Sequence, residues 1–470
     1  MSDKKLSIRT KLLFGCGQGV ESAVSFVANS FLLFYLTNVC KMSASLAGAL
    51  IFVSLLIDAV ADPAIGTCSD RFRSRWGRRL PFMAAALPVL AVACIAVFTA
   101  PAASTFALSA YVLIFNVALR LGTSLFALPY SAMTAEITGD YSERSSVAVY
   151  RCLFAFLGTV AVIAPAFGII FARPDSMSSA AAYRDMGILT AVVVLFFGTA
   201  CIVALYKTGH GEPAKVAPTH QSAWSDIRDL GRNRSFVLLF SACLLILVGA
   251  GSLNALNLFA FKYYWKLSTP QMQFPAMSAQ IGLLLGIAVA ALTLQKVEKR
   301  KALLVGMTVL TCFQGLPPLL FALSPAQPSS AVLLTVLCIV SFVFGTCCSL
   351  VFIAFQSMVA DAVDEHEHRF GSRCEGLYYS SLVFGTKAAG GAGSLLAGLS
   401  LTLIGLGDAS QTADVAISAQ SAAWLGAIWG PGHALLFAMS IPLLAMYKLD
   451  SRAHAQIRHQ LEQRLAARAL

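Results

Sequence analysis

Long apolar runs broken by short polar segments dominate the chain. A helix needs roughly 20 predominantly apolar residues to cross a bilayer core, and twelve such runs occur, at about 11–38, 44–68, 80–101, 104–136, 146–172, 184–206, 235–263, 274–295, 302–324, 329–360, 376–404 and 417–447. Several exceed the minimum, which implies tilt or helices that continue past the headgroups. The pattern predicts an all-α membrane protein with twelve transmembrane helices. The opening MSDKKLSIRT is polar and basic, and the first apolar run is too long for a cleaved signal and has no small-residue cleavage site at its end, so a cleaved signal is not expected.

The longest charged, Pro-containing connection, KTGHGEPAKVAPTHQSAWSDIRDLGRNR, follows the sixth run. It divides the chain into an N-terminal six-helix bundle (1–206), a cytoplasmic linker (207–234), a C-terminal six-helix bundle (235–447) and a cytoplasmic tail (448–470). Two equal halves are the mark of a duplicated transporter. Within the linker, SAWSDIRDLGRN has the makings of one or two amphipathic turns on the membrane surface. Pro129 and Pro165 interrupt their spans and free backbone carbonyls, which in a membrane must be satisfied internally or face a cavity.

Composition supports this reading. Charged residues make up 12% of the chain and hydrophobic ones 57%, against roughly 25% charged in a soluble domain. The net charge of +11 would suggest nucleic acid, but 26 of the 34 Lys and Arg residues fall at the N-terminus, in alternate loops and in the tail, and only 5 in the opposite loops. That asymmetry predicts cytoplasmic termini and excludes nucleic acid as the partner; the partner of the basic loops is the lipid bilayer. The twelve cysteines lie mostly singly in apolar runs, with no CxxC, and read as small packing residues.

Ionisable residues inside the runs are few: Glu21, Asp58, Asp62, Arg120, Arg151 and Lys387. A charge at bilayer depth costs roughly 2.5–3.5 kcal/mol even on lenient insertion scales, so each should face the bundle interior. Asp58 and Asp62, at i and i+4, share one helical face. Two carboxylates that close repel each other unless a proton or metal cation lies between them. They are the candidate cation-binding pair, for Na⁺ or H⁺, and no other metal or cofactor is expected. Glu21, Arg120, Tyr130, Arg151 and Lys387 are the candidate substrate contacts.

Two polar loops carry further chemistry. In DRFRSRWGRR, Asp70 stands beside Arg71, Arg75, Arg78 and Arg79. This arrangement suits a gating latch in which the aspartate pairs across to a neighbouring helix. The segment ADAVDEHEHRFGSRCEG (360–376) reads as a loop bearing a solvated salt-bridge network. Lys387 then follows about three turns into the next run.

Three blocks together resemble a known family: IDAVADPAIGTCSDRFRSRWGRRLPF, ALPYSAMTAEITGDYSERSSVAVYR and VADAVDEHEHRFGSRCEGLYYSSLVFGTK. They are similar to the glycoside-pentoside-hexuronide:cation symporters, the major facilitator branch that includes melibiose permease and, more distantly, sodium-coupled lysolipid transporters. The resemblance implies the major facilitator fold and a cation site at Asp58 and Asp62, completed by a hydroxyl at Ser124. It also implies that Arg151 and Lys387 are cavity cations. The chain departs from melibiose permease where Ser22 and Ala127 replace sugar-binding aspartates and Ser131 a sugar-stacking tryptophan.

The expected function is therefore secondary active, Na⁺- or H⁺-coupled symport of a sugar or sugar-like organic solute by alternating access, with an anionic solute favoured by the gained arginine. The alternatives are a lysolipid or other amphiphile transporter and an efflux antiporter of the same fold. No Gly-rich phosphate loop, HExxH or GxSxG occurs, so an enzyme is not expected. The protein should be a monomer in the cytoplasmic (inner) membrane of a bacterium.

Overall fold

The computed structural model describes residues 6–137, 140–173, 175–208, 223–323, 329–372, 374–406 and 418–469. Among these, twelve helices are long and apolar enough to cross a membrane: α1 Ile8–Asn38, α2 Ala44–Arg71, α3 Leu80–Val97, α4 Thr105–Thr134, α5 Glu143–Ile170, α6 Ala180–Tyr206, α7 Arg234–Tyr264, α8 Thr269–Lys296, α9 Lys299–Phe321, α10 Ser330–Phe370, α11 Glu375–Leu403 and α12 Ala419–Ala445. No strand occurs among the described residues. A ten-residue helix, Ala223–Arg232, forms in the linker, whose residues 209–222 lie outside the described set.

Local chemistry sets many of the boundaries. Ser7, Ser104 and Ser329 precede α1, α4 and α10, and each accepts a hydrogen bond from a first-turn amide. That satisfies a donor the helix itself leaves open. Pro129 does not end α4, which runs through it. Pro165 leads instead into a wide π turn over Ala166–Ile170, a common way for a membrane helix to absorb a lost backbone bond.

Two polar segments are more helical than their sequence suggests. The stretch read as a loop from residue 360 belongs to α10 as far as Phe370, and Gly371 ends it with a left-handed φ of 78°. The helix persists because its charges are paired: Glu365 with Arg369 one turn on at 2.6 Å, and Asp361 with Lys299 of α9 at 2.7 Å. The tail forms a helix, Ser451–Ala469. It docks on the end of α10, where His454 Nε2 lies 3.0 Å from Asp364 Oδ2 and Arg464 donates to the His368 carbonyl at 2.9 Å.

Packing divides the chain into two units. Unit 1 comprises Met1–Ala214, Gly251–Met277 and Gly390–Gly426, and unit 2 comprises Lys215–Ala250, Ser278–Ala389 and Ala427–Leu470. In unit 1, Phe31, Tyr35, Phe98, Phe167, Phe171 and Tyr183 form a fully buried aromatic cluster linking α1, α3, α5 and α6. The end of α7 belongs to this unit: Phe259 packs on Phe34 with ring centroids 4.8 Å apart, and Tyr263 donates to Asn38 at 2.6 Å. Unit 2 holds its own buried polar junction, where Asn233 donates to the Ala362 carbonyl and to the Tyr378 hydroxyl, which contacts His366 Nδ1.

Backbone-to-backbone contact between α1 and α5 depends on paired glycines. A methyl at Gly158 would stand 2.5 Å from Gly19 Cα, so a side chain there forces the helices apart. Gly158→Leu is expected to destabilise the protein by about 1–3 kcal/mol, read as an earlier loss of the monodisperse peak when the detergent-solubilised protein is heated. Unchanged thermal stability would show that the two helices do not meet at this point.

Candidate cation and solute site

The site begins with two facing polar stripes in apolar helices. On α2, Ser54, Asp58 and Asp62 recur every four residues, and on α4 Asn116, Arg120 and Ser124 do the same. Residues at i and i+4 share a helical face, so each helix carries one polar edge two turns long. The edges meet in unit 1. Asn116 Nδ2 donates to Ser54 Oγ at 2.6 Å, and Ser124 Oγ donates to Asp58 Oδ1 at 2.8 Å. All six residues are at least nine-tenths buried, with Asp58 only 3% exposed and Asp62 7%.

Arg120 completes the cluster. It is itself buried, attracted electrostatically by Asp58, and its Nη2 donates to Asn29 of α1 at 3.1 Å. A carboxylate out of water is tolerated only when charge and hydrogen bonds compensate it, and Ser124 and Arg120 supply both for Asp58. Two carboxylates and one guanidinium thus share this buried cluster. The turn between the carboxylates carries one more feature. Pro63 has no N–H, so the Ala59 carbonyl, four residues earlier, lacks its helical donor.

A second network ties α1 to α4 and α5. Arg151 donates to Gln18 Oε1 through Nη2 at 2.7 Å and Nε at 3.2 Å, and to Thr134 Oγ1 through Nη1 at 3.0 Å. Gln18 in turn donates to Glu21 Oε2 at 2.9 Å. The Arg151 guanidinium also lies 4.9 Å from the centre of the Tyr130 ring, a favourable cation–π distance. Tyr130 is fully buried, and its hydroxyl donates to the Phe14 carbonyl at 3.1 Å.

The remaining predicted residues lie elsewhere along the chain. Lys387 is half-buried on α11, within unit 2. Asp70 pairs with Arg79 at 2.8 Å, which joins the end of α2 to the start of α3, while Arg71 and Arg75 are exposed and Arg78 is half-buried. Sequence reasoning missed Gln18, Asn29, Ser54, Asn116 and Thr134. A signal for two of them was present, since Ser54 and Asn116 extend the polar i, i+4 spacing by one turn on their helices.

Comparison with known proteins bears on the geometry. The sequence profile of the family described as MFS/sugar transport protein matches residues 13–451, nearly the whole chain. The chain belongs to this family. Among its relatives are the putative glycoside/cation symporter YagG of Escherichia coli, 25% identical over 98% of this chain and 96% of that one, and the mouse sphingosine-1-phosphate transporter MFSD2B, 25% identical over 99% and 95%. The inward-open structure of the xylose transporter XylE from E. coli superposes with a TM-score of 0.62 at 11% identity, covering 96% of this chain and 98% of that one. The fold is thus that of the major facilitators, as the three sequence blocks imply, and the protein is an integral membrane member of this MFS/sugar transport family.

In this family member, the Arg151 network is accessible to a stability test. Gln18→Ala and Arg151→Ala should each lower the melting temperature. In a double-mutant cycle they should show a coupling of about 0.6–1.7 kcal/mol, the range for polar contacts between membrane helices. Strict additivity would mean that the contact carries no energy.

Proposed function

We propose that this protein is a secondary active transporter of the bacterial inner membrane. It carries a sugar or sugar-like organic solute together with Na⁺ or H⁺ by alternating access. The observation that supports this most is the buried pair Asp58 and Asp62, with Ser124 donating to Asp58 and Arg120 beside it. Two carboxylates this close and this deeply buried repel each other, and a bound cation or proton between them relieves that repulsion. The carboxylate oxygens and the Ala59 carbonyl are oxygen donors, the ligand type that hard cations such as Na⁺ take.

The names of relatives agree in kind. YagG is named a glycoside/cation symporter, another relative an isoprimeverose transporter, and a third an inner membrane symporter. We assign solute contact to Glu21, Arg151 and Lys387, with Tyr130 as the platform under Arg151. Arg120 is drawn toward Asp58 and Asn29, so the case for an anionic solute rests on Arg151 and Lys387. Asp70 and the arginines around it are assigned the latch, with the Asp70–Arg79 pair as its closed form. A phosphorylated amphiphile is the second reading, favoured by the match to MFSD2B and by Ser22, Ala127 and Ser131 in place of a sugar clamp.

Proteoliposomes with an imposed Na⁺ or H⁺ gradient test the reading directly. Labelled neutral glycosides and uronates should accumulate against their own gradient with one of the two ions. Asp58→Asn and Asp62→Asn should each abolish accumulation while solute exchange at equal concentrations persists. Full uphill transport in both variants would overturn the cation assignment, and accumulation of a lysophospholipid in preference to any sugar would favour the second reading.

The fixed charge of Arg120 gives a further expectation. Arg120→Ala removes a positive charge that competes with the coupling ion, so the variant should half-saturate at a lower ion concentration than the parent. An unchanged ion dependence would separate Arg120 from the cation site.

A further inference from the structure

Outside the proposed transport site, unit 2 contains a cavity of about 580 Å³ where three spans end: the start of α7, the end of α10 and the segment just after α12, with the tail helix as its fourth wall. That volume lies within the 300–1,000 Å³ of ordinary small-ligand sites. Its lining includes Arg234, Arg369 and Lys448, with His368 beside them. Among the described lining residues the one carboxylate is Glu365, and Arg369 already pairs with it at 2.6 Å. Two fixed cations, Arg234 and Lys448, remain in excess, and both side chains are exposed to an arriving ligand.

The lining also has neutral polar residues, Ser235, Gln456 and Gln460, and an apolar part. Leu238 of α7, Met446 just past α12 and Ile457 of the tail helix contribute to it. A cavity that sets cations beside apolar side chains at the point where helices leave the bilayer matches a molecule with an anionic head and an apolar body. We propose that this cavity binds the headgroup of an anionic glycerophospholipid. The phosphate meets Arg234 and Lys448, the glycerol backbone lies over Leu238 and Met446, and the tail helix is held against α10 in part by this lipid. Free inorganic phosphate shares the anionic chemistry but would leave the apolar wall unused. The loop asymmetry puts this end of the bundle on the cytoplasmic side, where basic pockets between helices meet anionic lipid.

Native mass spectrometry of the purified full-length protein tests the proposal, with phosphatidylglycerol, phosphatidylcholine and inorganic phosphate as separate probes. Phosphatidylglycerol should bind in preference to phosphatidylcholine. Each cation removed should weaken its binding about fivefold, so the Arg234→Gln/Lys448→Gln double variant should lose about twenty-five-fold. The charge-keeping Arg234→Lys/Lys448→Arg variant should retain binding, which separates loss of charge from misfolding. Wild-type affinity in the glutamine variant, equal binding of the two lipids, or displacement of the lipid by millimolar phosphate alone would each overturn the assignment. None of these readouts requires transport, so they stand or fall independently of the proposed symport.

Discussion

The burial of Asp58 and Asp62 is the constraint around which unit 1 is arranged. In a setting without water, a carboxylate must find its solvation within the protein. Here the compensation comes from the neighbouring helix, through the Ser124 hydroxyl and the Arg120 guanidinium. Arg120 in turn leans on Asn29 of α1, so the charge of one residue fixes the relation of three helices. The glycine contact between α1 and α5 and the aromatic cluster then fill the space that this polar axis leaves.

Much of this was legible in the chain because membranes make sequence patterns simple. Twelve apolar runs predict twelve helices, and the structure has them. The acidic pair on one face of α2 was visible from its spacing, and the hydroxyl at Ser124 from the resemblance of its block to known symporters. What was not legible depends on which faces of different helices meet. Gln18 and Thr134 are ordinary polar residues in sequence, and only the packing of α1 and α4 against α5 makes them the partners of Arg151. The end of α10 was missed for a different reason. Its charges resemble a solvated loop until Lys299 and His454 arrive from other segments to pair with them.

The two polar networks of unit 1 differ in character. Around Arg151 nearly every bond is to a neutral side chain, Gln18 or Thr134, with Glu21 reached only through Gln18. Around Asp58 the contacts are charge-assisted, from the Ser124 hydroxyl and the Arg120 guanidinium. The first arrangement is electrically complete for the guanidinium's geometry and leaves its charge available to a solute. The second gathers ionised groups on the facing edges of α2 and α4. The proposed ion site draws on the second kind, and the proposed solute contacts on the first.

Arg120 sharpens what the carboxylate pair can do. Without it, two ionised aspartates one turn apart would demand either two monovalent cations or a shared proton plus one cation. With a fixed guanidinium in Coulombic range of Asp58, part of the repulsion between the carboxylates is offset within the protein. Polar contacts between membrane helices are individually weak, about 0.6 kcal/mol on average. One charge entering or leaving therefore outweighs any single hydrogen bond in the cluster. In the proposed cycle, this disparity lets the occupancy of one small ion decide how α2 and α4 are held, while the apolar packing of the bundle stays intact.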